Sequence, residues 1–324
     1  MLDNGSERDG VMTNISANDE PRARVPADFT WPGGKRLALS IVVNVEEGAE
    51  QNIADGDRGP EPVDELSATP RRAMRVYSSE SNYRYGIVAG APRILRLLED
   101  HRIPATWTAA AVALERAPDL AARIVARGDE IASHGHRWVH QYWMDESQER
   151  AFIRTARDLI AGLSGRAPAG WLSRYLTTDN TLRLLVEEGF AYHMDDFSDD
   201  MPFWKRVPMR AGEERPLLVI PYAMDSNDMK FWLAPGLMPR DWLNYAIDTF
   251  EELLAEAKAV GPRMMSLGVH LRIIGRPGRI GALRAFLEHV ANHPDVWIAP
   301  RLDIGRAYAA AVPPPIAGWA SGEA

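Results

Sequence analysis

Residues 36–46 read RLALSIVVNVE, the most hydrophobic strand candidate of the chain, and Glu47 and Gly48 follow directly. A run of this composition belongs at the centre of a parallel sheet, covered on both faces. No G-x-G-x-x-G follows it and no P-loop occurs anywhere, so a barrel or partial barrel is favoured over an open doubly wound sheet. Further strand candidates are PATWTAA (104–110), EIASHG (130–135), AGWLSRY (169–175), FAYHMDD (190–196), LLVIPYAM (217–224), MMSLGVHLR (264–272) and VWIAP (296–300). Amphipathic helical segments alternate with them, among them APRILRLLEDH, SQERAFIRTARDLIAG and DWLNYAIDTFEELLAEAKAVG. That alternation, unbroken by a Gly/Ser/Pro linker, predicts one α/β domain over 31–311. Residues 1–30 and 312–324 are polar and aperiodic and read as an N-terminal arm and a C-terminal tail; 49–91 reads as a long loop over the mouth of the barrel.

Composition narrows the function. The 324 residues carry a formal charge of −8, which disfavours nucleic acid or an anionic membrane as partner. The absence of cysteine removes disulfides, thiolate metal sites and a cysteine nucleophile. No G-x-S-x-G marks a serine hydrolase. The N-terminus lacks the charged start and apolar core of a signal peptide, and no window reaches membrane-span length, so a cytoplasmic location is expected.

In a parallel barrel the C-terminal ends of the strands face one pocket, and polar residues recur there. The first strand ends in Asn44, Glu46 and Glu47, the third in His134, the fourth in Arg174, the fifth in Asp195 and Asp196. The sixth leads to Asp225, Asn227 and Asp228, and the seventh ends in His270 and Arg272. Two enclosed carboxylates separate their pKa values and suit the activation of water. His136 and His140 have helical i, i+4 spacing, whereas an extended chain would align His134, His136, Trp138 and His140; spacing leaves the metal question open. His270 and Arg272 alternate with apolar neighbours, and a histidine placed there suits protonation of a leaving atom.

Taken in order, LSIVVNVEEGAE, GDEIASHGHRW, GWLSRY, NTLRLLVEEGF, DDFSDDMPFW, PYAMDSNDM, MMSLGVHLRIIGRPGR and VWIAPRLDIGRAY resemble the polysaccharide deacetylase (NodB homology) superfamily over about residues 30–310. They are most similar to its allantoinase-like and cyclic-imide-hydrolase-like branch. The resemblance implies a distorted (β/α) barrel with fewer than eight strands, often a homo-oligomer. In the deacetylases an acidic pair before Gly supplies a general base and a metal ligand, matched here by Glu46 and Glu47. Their two ligand histidines, four residues apart, correspond to His134 and Trp138. The allantoinase-like branch reads His-Gly-Trp-Arg-Trp at this place and implies catalysis without metal. His136 and His140 depart from that branch too, and either rebuild a site with Glu47 and His134 or reshape the pocket.

The resulting expectation is hydrolysis of a non-peptide C–N bond in a small amide, cyclic ureide, cyclic imide or N-acyl group. Glu46, Glu47, His134 and His270 are the expected catalytic residues, with Glu46 as base and His270 as acid. Arg137, Trp138, Arg174, Trp204, Asp225 and Asn227 are expected to bind substrate, Arg137 and Arg174 as donors to the oxyanion. The cofactor is either none or one divalent metal, zinc by choice, on Glu47, His134 and His140. The alternatives are a metal-dependent N-acetyl-sugar deacetylase and a catalytically silent barrel that binds a nitrogenous metabolite.

Overall fold

The computed structural model describes residues 22–322 apart from 24, 27, 64, 67–69 and 232–235. The run that opens the chain forms β1 (Leu37–Val45), buried at every position. It is flanked along its length by β8 (Arg263–His270) and on its other side by β2 (Thr106–Ala109) and, at its start, β9 (Val296–Ile298). With β3 (Glu130–Ser133), β4 (Gly170–Trp171), β5 (Tyr192–His193) and β7 (Glu214–Val219), seven parallel strands curl in the order β7, β5, β4, β3, β2, β1, β8. The sheet does not close strand to strand. The segment after β7 seals the gap: Gly268 donates to Ser226 O at 3.0 Å, and Asn227 bridges to Gly268 in parallel register.

Side-chain parity explains the layers. Along β1, Leu37, Leu39, Ile41, Val43 and Val45 join the main apolar cluster, whose other members come largely from the surrounding helices. Ala38 packs in the second cluster with Met264 of β8 and Ala132 of β3. Ser40, Val42 and Asn44 share its parity and therefore its side, so the barrel interior is built of small and polar residues and is roomy at its C-terminal end.

The helices are α1 (Tyr77–Tyr85), α2 (Ala91–Asp100), α3 (Ala111–Arg116), α4 (Pro118–Arg127), α5 (Glu146–Ser164), α6 (Thr181–Glu187), α7 (Pro239–Ala259), α8 (Leu271–Ile274), α9 (Ile280–Val290) and α10 (Arg301–Ala311). Asp145 and Gln148 start α5 with a reciprocal capping box, which satisfies two otherwise orphaned N–H groups. No helix among the described residues is long and apolar enough to cross a membrane.

Several expectations need correction. The loop expected over 49–91 turns helical at Tyr77 and continues through a π-helical turn, Gly86–Gly90, into α2. The acidic stretch before Phe203 leads into β6 (Phe203–Pro208), which pairs antiparallel with β7. The strand expected to run to Arg272 ends at His270, because carboxylates capture the N–H groups that would extend it: His270 N and Ile274 N donate to Asp228, and Arg272 N to Glu47. The C-terminal tail is packed, with Val312 buried and Trp319 Nε1 donating to Ala191 O at 2.8 Å. The arm expected over 1–30 lies outside the described residues for 1–21, 24 and 27.

Candidate active site

The parity that sorts β1 also separates its two glutamates. Glu46 continues the inward series of Ser40 and Asn44 and lines a cavity of about 230 Å³ at the C-terminal end of the barrel. Glu47 continues the outward series and lies beneath the π-helical turn, where a side chain on Gly86 would overlap its carboxylate. There it accepts the N–H of Arg272 at 3.0 Å and that of Glu46 at 3.1 Å.

Four elements converge on Glu46. Its Oε1 lies 3.2 Å from His270 Nε2 at the end of β8 and 3.6 Å from His134 Nε2 just after β3. Its Oε2 accepts from Arg272 Nη1 in α8 at 2.6 Å. On the far side of His270, Asp228 Oδ1 lies 2.7 Å from Nδ1. Glu46, His270, Asp228 and Arg272 are all essentially out of solvent. Burial would raise the Glu46 carboxyl, but the facing His270 and Arg272 cations outweigh it and hold the group well below the ordinary carboxylate range. Burial would lower His270, yet Glu46 and Asp228 on its two nitrogens push it up to about 9. Burial lifts Glu47 above its ordinary value, against Arg272 and with Glu46. At neutral pH the cavity therefore carries a carboxylate beside an imidazolium, one group able to accept a proton and one able to give it.

Residues 82–192 match the polysaccharide deacetylase family. A Schizosaccharomyces pombe protein described as a "Putative polysaccharide deacetylase" is 34% identical over 299 residues, 87% of this chain and 93% of that protein. The chain belongs to the polysaccharide deacetylase family. A Helicobacter pylori peptidoglycan deacetylase is 27% identical over 64% of this chain and 80% of its own. The crystal structure of PuuE allantoinase superposes with a TM-score of 0.82 and 42% identity, covering 91% of this chain and 99% of that one. Enzymes of this family are hydrolases of C–N bonds, and their fold is the curled α/β half-barrel described above.

Deacetylases of this family typically use a divalent metal, and the donor set here does not suit one. His134 Nδ1 lies 2.8 Å from the Leu172 carbonyl, which can only accept, so the ring hydrogen is on that nitrogen. The remaining lone pair on Nε2 faces the indole N–H of Trp138 at 3.2 Å. The same arrangement leaves Nε2 no hydrogen to give Glu46, and 3.6 Å is too long for such a bond. Glu47 is turned away from the cavity, and His140 Nδ1 lies 2.9 Å from Arg174 O. Arg272 instead supplies positive charge, 2.6 Å from Glu46 and 3.7 Å from Glu47. The set Glu47, His134 and His140 expected for zinc is thus not assembled. Among the described residues no group of three His, Asp or Glu is placed to hold a metal.

Of the other residues singled out, Trp138, Arg174 and Asn227 line the cavity beside Glu46, His134 and His270. Arg174 is nevertheless committed to Glu61 and the Trp138 carbonyl, and its guanidinium stacks on the Trp138 ring at 3.7 Å. Arg137 forms a bidentate pair with Asp57 and donates to Glu50 O, tying these two residues together from outside the cavity. The terminal nitrogens of both arginines are therefore committed, and the Nε of each, without a partner among the described residues, is buried out of solvent's reach. Trp204 lies elsewhere, donating to Val312 O and meeting Trp319 edge-on at 5.1 Å. Asp225 is exposed and accepts from Tyr245 at 2.7 Å. His136 packs edge-on to Phe152. Two partners of the cluster were not among the expected site residues. Asp228 stood only among the polar residues that follow the sixth strand, and Arg272 was placed on a strand with His270 but given no role. The signal available for both was their place among the polar residues at or after the ends of the expected strands.

Proposed function

We propose that the chain opens a small cyclic ureide or imide by hydrolysing an amide-type C–N bond. The observation that carries this reading is the 3.2 Å contact between ionised Glu46 and protonated His270 at one cavity wall. The cavity, about 230 Å³, falls below the usual ~300–1,000 Å³ of ligand pockets and suits a single small ring better than a polysaccharide. The 42% identity to PuuE allantoinase over nearly the whole of both chains supports the same substrate class.

Water held by Glu46 attacks the ring carbonyl, forming the new C–O bond as its proton passes to the carboxylate. The tetrahedral intermediate then collapses by breaking the C–N bond, and His270 gives its proton to the departing nitrogen. Glu46, now protonated, returns the proton across the 3.2 Å contact to His270, which has the higher affinity for it. Asp228 keeps the imidazole oriented and stabilises its charge. Arg272 holds Glu46 in place.

The test is a panel of allantoin, hydantoin, succinimide and an N-acetylglucosamine oligomer, assayed with chelator present. Ring opening of at least one cyclic compound is expected. Turnover of the N-acetylated oligomer alone would replace this reading with sugar deacetylation.

A further inference from the structure

The oxyanion formed in this reaction needs a donor; the terminal nitrogens of Arg137 and Arg174 are engaged elsewhere, and the Nε of each has no accessible surface to offer. Tyr222, in the segment that seals the barrel after β7, lines the same cavity as Glu46 and His270. Its hydroxyl oxygen is 2.7 Å from Asn44 Nδ2 and 3.2 Å from Asn227 Nδ2. Both amides are fixed in orientation by groups with a single hydrogen-bonding sense. Asn44 Nδ2 also faces the Val269 carbonyl at 3.1 Å, which can only accept. Asn227 Oδ1 takes the backbone N–H of Met229 at 2.9 Å, which can only donate.

Each amide therefore presents an N–H to the phenol oxygen, and together they occupy its two lone-pair directions. The hydroxyl hydrogen points away from both, and among the described residues it meets no acceptor. Gly268 makes room for this arrangement, because a Cβ there would overlap the Tyr222 hydroxyl and crowd Asn227 Nδ2. Gly268 and His270 are two residues apart on one face of β8. Asn44, which donates to the hydroxyl, is the β1 partner of His270, so the phenol lies between the Gly268 and His270 levels, on the barrel side of the Glu46–His270 contact. Burial keeps the phenol protonated, with its pKa above the ordinary value.

We propose that Tyr222 is a catalytic residue whose hydroxyl donates to the carbonyl oxygen under attack and to the oxyanion that oxygen becomes. The inference deepens the hydrolytic reading but holds for any carbonyl hydrolysed in this cavity.

The test uses Tyr222→Phe, Asn227→Asp and the double variant, assayed on whichever compound of the panel above the unaltered enzyme turns over. Loss of the donor is expected to lower kcat by about 10²–10³-fold, with KM changed by less. Asn227→Asp keeps the tyrosine but offers its hydroxyl an acceptor, drawing the hydrogen out of the cavity. It is expected to match the loss in Tyr222→Phe, and the double variant to show no further loss. Thermal melting of each variant checks that the protein folds. Tyr222→Phe with kcat within about threefold of the parent would overturn the assignment while leaving the function intact, and so would a harmless Asn227→Asp. Turnover of only the N-acetylated oligomer would overturn the cyclic-substrate reading and leave Tyr222 to be judged on that compound. Inactivity of the unaltered enzyme on the whole panel would overturn both.

Discussion

The barrel carries a polar network at each end, and a cavity lies beside each, about 360 Å³ at the N-terminal end and about 230 Å³ at the C-terminal end. At the N-terminal end, Glu130 accepts from Tyr192 at 2.7 Å, Thr106 at 2.8 Å and the N–H of Leu302 at 3.0 Å. Nearby, Arg301 donates to Ser266 and to the carbonyls of Ile220 and Pro221. At the C-terminal end Glu46, His270, Asp228 and Arg272 are all buried, whereas Glu130 is half-buried. Both ends also shift pKa values, since burial raises Glu130 despite its hydrogen bonds. The difference is in what the groups are left able to do. The carboxylate of Glu130 meets neutral hydroxyl and N–H donors, whereas Glu46 faces an imidazole that can pass a proton on, at a wall of its own cavity. Buried charge alone therefore does not mark a catalytic centre.

Substitutions should separate the two networks. Glu46→Gln removes the proton acceptor while keeping the shape, and the expected loss in kcat is about 10³–10⁴-fold, with the fold retained by circular dichroism. At the other end Tyr192→Phe removes a donor to the Glu130 carboxylate. It is expected to cost about 1.5–3 kcal/mol of stability in urea unfolding and leave kcat unchanged. A Tyr192→Phe enzyme that is stable but inactive would erase the contrast.

The alkaline limb of activity sharpens it further. His270 must carry its proton to act as acid, so kcat/KM is expected to hold through neutrality and fall as pH rises through about 9. The same raised pKa stabilises the fold fully below the unfolded value of ~6.5, and that contribution fades as pH passes about 9. Asp228→Asn removes one of the two carboxylates responsible, and the limb is expected to move to lower pH; an unmoved limb would assign it to another group. The smallest expected effect is that of Trp204→Phe, with KM for the turned-over compound unchanged, because the indole serves the C-terminal tail.

The sequence disclosed the site in proportion to how local its logic is. Alternation along RLALSIVVNVEE already contains the parity that sends Glu46 inward and Glu47 outward, although both were assigned catalytic roles. His134 and His270 stand at strand ends that any parallel barrel turns toward one mouth. Arg137 and Arg174 could not be read the same way, because their partners Asp57 and Glu61 lie in an irregular segment 80 and 113 residues away. Asp228 was obscured because the His270 it serves is 42 residues on. Trp204 was misplaced because β6 is absent from the strands expected, and its pairing with β7 directs the indole to the tail. Tyr222 sat unremarked in the apolar run LLVIPYAM, where only the converging amides of Asn44 and Asn227 distinguish it.

The central claim is that Glu46 and His270, without help from a metal, drive water into a small cyclic amide. It is tested most directly by following allantoin ring opening in chelator-treated enzyme and in its Glu46→Gln variant. The account predicts turnover unchanged by chelator in the first and a loss of about 10³-fold or more in the second. Turnover abolished by chelator, or retained by Glu46→Gln, would contradict it.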